Sequence, residues 1–248
     1  MDMNFKQDFV RLWKRHFKTA ELPLVFFYAD DDKQAETPKP PKGHRCIIGD
    51  LGRVRHGTSM KFDAETVGCA GALRYLGFAE SIRPDFEYFL SYGIPGKMEG
   101  ERYKKTPEIV TKIMKMLPVI KAPGRYIVFK RWDKIQETDE PAVVIFLVTP
   151  DILSGLFGLA NYDREDLNGA FTPFGAGCAT IVQYPYLEQS VPVPRAVIGM
   201  LDVSARPSVH ASTLSFAVPL TRFRQMVDNM EESFLTTASW RKVSRRIV

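Results

Sequence analysis

Phe5, Phe9, Leu12, Trp13, His16 and Phe17 recur at three- to four-residue intervals and predict an amphipathic first helix with His16 on its apolar side. The apolar run at residues 22–28, which contains Pro23, predicts a buried strand. Residues 30–43 are polar and carry Pro38, Pro40 and Pro41, the pattern of an exposed loop. Cys46, Ile47, Ile48, Leu51 and Val54 then fall on one helical face within residues 44–56, interrupted by Gly49 and Gly52. Residues 58–67 read as a strand, followed by a helix from about Cys69 that closes at Gly77. The aromatic, glycine-rich segment 81–102 reads as a gate over a pocket or a loop packed on its own rings.

Thr106, Pro107 and Glu108 supply a helix start: a capping hydroxyl, a proline at the first helical position and an acid near the positive end. Ile109, Val110, Ile113, Met114 and Leu117 form the face expected to be buried. Residues 126–129 predict a strand. The wholly apolar run 142–148 suits the centre of a sheet covered on both faces. A helix with Ile152, Leu153, Leu156, Phe157 and Leu159 as its core follows. Strands are expected at 196–201 and 213–218, then a helix bearing Phe223, Met226, Val227, Met230 and Phe234. The tail holds Trp240 and either docks on the body or frays. The pattern predicts an α/β (or α+β) fold, a mixed sheet flanked by helices, as a single domain over residues 1–248.

Two short stretches repeat. Gly68-Cys69-Ala70 and Gly177-Cys178-Ala179 each stand where a loop turns into a helix. Each follows a strand and a helix, so residues 20–80 and 140–190 form a candidate internal repeat of two βα halves. A thiol in the first turn of a helix lies in the positive end of its dipole, which favours the thiolate.

Composition narrows the class. Of 248 residues, 45% are hydrophobic and 25% charged, as in an ordinary globular protein with a core of its own. The net charge of +5 is weighted to the ends, at Lys14, Arg15 and Lys18 and at Arg241, Lys242, Arg245 and Arg246. No nucleic-acid motif accompanies it, so nucleic acid is not the expected partner. Three cysteines, an odd number, argue against a disulfide framework and for a reducing, cytoplasmic setting. The first residues lack the basic-then-apolar layout of a signal peptide, and no apolar run is long enough to cross a membrane.

The order of several features resembles a known family. They are Pro23-Leu24-Val25-Phe26-Phe27, the Arg45-Cys46 helix, Gly68-Cys69-Ala70-Gly71-Ala72 with Leu76-Gly77, and Tyr92-Gly93-Ile94-Pro95. Later come Pro141-Ala142-Val143-Val144-Ile145-Phe146, Gly177-Cys178-Ala179 with Tyr184-Pro185, and Asp202-Val203-Ser204-Ala205-Arg206. From residue 22 to the last helix the chain is similar to the uncharacterised ArCR proteins, the family of a domain of unknown function, DUF169. The resemblance implies cysteines at the positions of Cys46, Cys69 and Cys178, and no reaction, substrate or cofactor.

Four readings of the chemistry stand side by side. The cysteines are small core residues; or Cys46, Cys69 and Cys178 hold zinc or an iron–sulfur cluster with one coordination position open. Alternatively one thiol is an activated nucleophile. In the fourth reading the chain is a non-catalytic or sensory binder of a small anionic molecule. There Gly68 and Gly177 let the ligand approach backbone N–H groups, Arg74 or Arg206 meets its charge, and the aromatic segment with Tyr92 covers it. No Walker loop, dinucleotide fingerprint, zinc-protease helix or nucleophile elbow is present.

Overall fold

The computed structural model describes residues 1–247. Its helices are α1 (Met3–Phe17), α2 (Ile47–Arg55), α3 (Ala70–Tyr75), α4 (Phe86–Phe89), α5 (Pro107–Met116), α6 (Pro150–Asn161), α7 (Tyr184–Glu188), α8 (Leu220–Asp228) and α9 (Ala238–Ser244). Its strands are β1 (Leu24–Ala29), β2 (Met60–Phe62), β3 (Gly93–Ile94), β4 (Met98–Glu99), β5 (Tyr126–Arg131), β6 (Val143–Val148), β7 (Ala170–Phe171), β8 (Ala196–Gly199) and β9 (Leu214–Pro219). Seven of these form one sheet in the order β2-β5-β1-β6-β9-β8-β7. The β7–β8 pair is parallel and the other strand pairs among the described residues are antiparallel, so the sheet is mixed, and β3 and β4 form a separate small hairpin.

Side chains alternate between the two faces of a strand, and here both faces are covered. Val143, Ile145 and Leu147 of β6 join Leu24, Phe26, Ile127 and Phe129 in one core with α2 and α3. Val144, Phe146 and Val148 join Phe9, Trp13, Phe216 and Phe223 in the other, under α1, α6 and α8. All six residues of β6 are buried, as a central apolar strand requires. The tail docks: Trp240 of α9 is buried, and its Nε1 donates to the His16 carbonyl at 3.0 Å.

The centre of the sheet is symmetric in register. Val25 lies opposite Val144 across the β1–β6 pair. On either side runs an antiparallel ladder of six residue pairs, β1 with β5 and β6 with β9. The helices do not follow that symmetry, because α2 packs on one face and α6 on the other.

Three elements differ from the sequence pattern. The strand expected at 58–67 is confined to Met60–Phe62, because Asp63 ends it: its carboxylate accepts from the Glu65 and Thr66 N–H groups and turns the chain. The apolar face of α5 is half exposed. Only Pro107 and Val110 are buried, while Ile109 and Met116 are 40% and 74% exposed, since α5 lies beside the short α4 rather than on the sheet. The second Gly-Cys-Ala step opens a π-helical stretch, Ala179–Gln183, that runs directly into α7.

Candidate functional site

All three cysteines stand immediately before a helical segment: Cys46 before α2, Cys69 before α3 and Cys178 before the π-helical stretch. The first two are brought side by side by Arg45. Its backbone N–H donates to the Gly68 carbonyl at 2.9 Å, and its guanidinium donates to the Thr66 carbonyl at 2.7 Å and pairs with Asp50 at 3.0 Å. Gly68 is required for that approach, since a Cβ there would fall 2.7 Å from the Arg45 Cβ. The third is brought in from the other half of the chain. A Cβ on Gly177 would lie 3.5 Å from Ile48 Cγ1, so the start of the Cys178 helix abuts the first turn of α2. Small residues in the sheet allow this helix to come so low. At Gly199 an added Cβ would meet Thr180 Oγ1 at 2.2 Å.

Cys178 is buried, and Cys46 and Cys69 pack against the same core. Burial pushes the Cys178 thiol well above the free-cysteine range, and Cys69, Cys46 and Asp202 act in the same direction. The expectation of a thiolate favoured by a helix start is therefore corrected for Cys178. Desolvation outweighs the dipole, and the Gly177 N–H at that end already donates to Asp202 Oδ2 at 3.1 Å. Among the described residues no group of three or more His, Cys, Asp or Glu side chains is disposed to hold a metal ion.

The ligand-facing residues separate sharply. Gly177 gives its N–H to Asp202 and its missing side chain to Ala205, and Gly68 is filled by Arg45, so neither offers a backbone cradle. Arg206 is spent on its own loop, where its guanidinium donates to the carbonyls of Met200, Ala211 and Thr213. Its place is that of a loop clamp, not of a counter-ion. Tyr92 is 54% exposed and meets the edge of Tyr88 rather than a pocket. Just beyond the aromatic segment, Lys104 Nζ stands 3.7 Å from the centroid of the Phe174 ring, near the second Gly-Cys-Ala turn.

Arg74 is different. It lies on α3, one turn after Cys69, and is 2% exposed. Its Nη2 donates to the Pro118 carbonyl at 2.9 Å, while its Nη1 is buried without a partner. Among the described residues no carboxylate pairs with it. Gln183, at the end of the π-helical stretch, shares its carbonyl: Nε2 donates to Pro118 O at 2.6 Å, and Oε1 is buried without a partner. Tyr75 stands beside Cys178, and burial raises its hydroxyl pKa. Tyr184 is also raised by burial, with Arg74 near enough to oppose the shift. A buried guanidinium with one carbonyl and no counter-charge costs stability, because burial strips water that nothing replaces. Gln183 was not among the residues expected at the site, although a lone amide directly after the largely apolar stretch 176–182 was a signal for it.

An open cleft of about 550 Å³ lies among Gln34, Glu36, Thr58, Asp133 and Lys134 and shares no residue with this cluster. It contains no cysteine and no buried unpartnered group. No helix among the described residues is long and apolar enough to cross a membrane.

Compared with known proteins, residues 14–229 match the family model described as uncharacterised ArCR, DUF169. No curated protein and no solved structure matches.

Proposed function

The chain belongs to the uncharacterised ArCR family, whose description names no reaction, and from its own side chains we propose that it binds a small anionic molecule. The ligand sits between α3 and the π-helical stretch, with Arg74 as its counter-charge and the thiols of the core beside it. The observation that carries this reading is the buried Arg74 Nη1, which has no partner among the described residues. A charge held so is costly unless an anion completes it. The 2% exposure of Arg74 means that the segment bearing Pro118 yields when a ligand enters. Thermal unfolding in a panel of small anions tests the reading, since a ligand bound only by the folded state raises the midpoint. The midpoint should rise with one class of anion and stay fixed in Arg74→Met; a panel without effect on the wild type defeats the proposal.

The cysteines favour a second reading, a zinc or iron–sulfur centre at Cys46, Cys69 and Cys178 with an open position. It is supported by the packing of all three against one core and by the influence of Cys69 and Cys46 on Cys178. The absence of a three-ligand arrangement and the raised Cys178 thiol weigh against it. Metal analysis of anaerobically purified protein decides it: about one equivalent of metal, lost in Cys69→Ser, supports the centre, and metal-free protein rejects it. All three cysteines are free, which supports a reducing, cytoplasmic setting. Part of the terminal basic charge is engaged, Arg15 with Glu231 and Arg246 with Asp151, which supports a small molecule over nucleic acid as the partner.

A further inference from the structure

The two unpartnered atoms beside Pro118 are chemically unlike, and that difference constrains the ligand. Arg74 Nη1 is a cationic donor. Gln183 Oε1 is a neutral acceptor whose orientation is fixed, because the carbonyl of Pro118 can be approached only by the amide nitrogen. Both side chains converge on the one carbonyl, at 2.9 and 2.6 Å, which places both unpartnered atoms beside it. Gln183 is fully buried, and Arg74 is 2% exposed. An anion lacking a proton to give would neutralise Arg74 and leave Gln183 Oε1 without a partner. A buried acceptor left so carries its full desolvation penalty, which exceeds the net gain of a typical hydrogen bond.

Building on the anion-binding reading, we infer that these two buried atoms together select an oxyanion that carries a hydrogen-bond donor beside its charge. An α-hydroxy or α-amino carboxylate meets that description, and so does a protonated phosphate. The anionic oxygen accepts from Arg74 Nη1, and the neighbouring O–H or N–H donates to Gln183 Oε1. Acetate and sulfate lack the donor and are disfavoured.

The test is calorimetric titration of the full chain near neutral pH with two matched pairs, glycolate against acetate and phosphate against sulfate. Wild-type protein should bind glycolate and phosphate about tenfold or more tightly than their partners, the range expected for one satisfied buried acceptor. In Gln183→Leu the preference should vanish, glycolate and phosphate each binding no more tightly than their partners. Equal affinities within both pairs in the wild type overturn the selectivity and leave the anion site standing. Failure of all four anions to bind overturns both. Should Gln183→Leu not fold, the wild-type ratios alone decide the matter.

Discussion

Replacing Arg74 by methionine should leave the folded chain as stable as before, or make it more stable. Methionine keeps much of the length and the apolar stem of arginine and removes the charge. The guanidinium makes one hydrogen bond, to Pro118 O, has no carboxylate partner and leaves Nη1 unsatisfied. The carbonyl is not orphaned by the change, because Gln183 Nε2 still donates to it. What is lost is about 1.5–3 kcal/mol of charge-assisted hydrogen bond. What is gained is the desolvation cost of a buried cation, several kcal/mol in an uncompensated site. The balance comes to a gain of roughly 0–3 kcal/mol. Urea unfolding followed by tryptophan fluorescence reads it, since Trp13, Trp132 and Trp240 are all buried. The midpoint should hold or rise with the slope unchanged. A loss above about 1 kcal/mol would show that the guanidinium serves the fold and would refute the argument that it awaits an anion.

Three other predictions rest on separate parts of the molecule. Lys130 is buried and bridges Asp32 at 2.8 Å and Asp139 at 2.9 Å, so Lys130→Met should cost about 3–5 kcal/mol in the same unfolding assay by stranding two carboxylates. His16 is held below its ordinary pKa of 6.5, chiefly by burial, so the unfolded chain takes up its proton more readily than the folded one. Stability should therefore fall as pH drops from about 7 through the depressed folded value, and His16→Gln should flatten that part of the profile. Cys178, with its raised thiol, should label far more slowly with a thiol reagent than the unfolded chain does at neutral pH; labelling at the rate of a free exposed cysteine would contradict its placement.

Much of this fold is legible along the chain, and the reasons are local. The apolar run of β6, the capped start of α5 and the Gly-Cys-Ala helix starts each follow from neighbours in sequence. The site is less legible because its decisive properties are nonlocal. An arginine in the last turn of a short helix ordinarily faces water; Arg74 is buried because Pro118, far along the chain, closes over it. Arg206 reads as an available cation until the loop through Thr213 folds back and fills its guanidinium with carbonyls. Gly177 reads as an approach for an anionic ligand until Asp202 arrives at its N–H. Lys130 lies in an ordinary strand, and only the approach of Asp32 and Asp139 from two loops buries it.

A crystal structure of the full chain grown with glycolate bears most directly on the anion site. The account predicts a carboxylate oxygen about 3 Å from Arg74 Nη1. Glycolate bound elsewhere, with Arg74 Nη1 satisfied by a group of the protein itself, would contradict it.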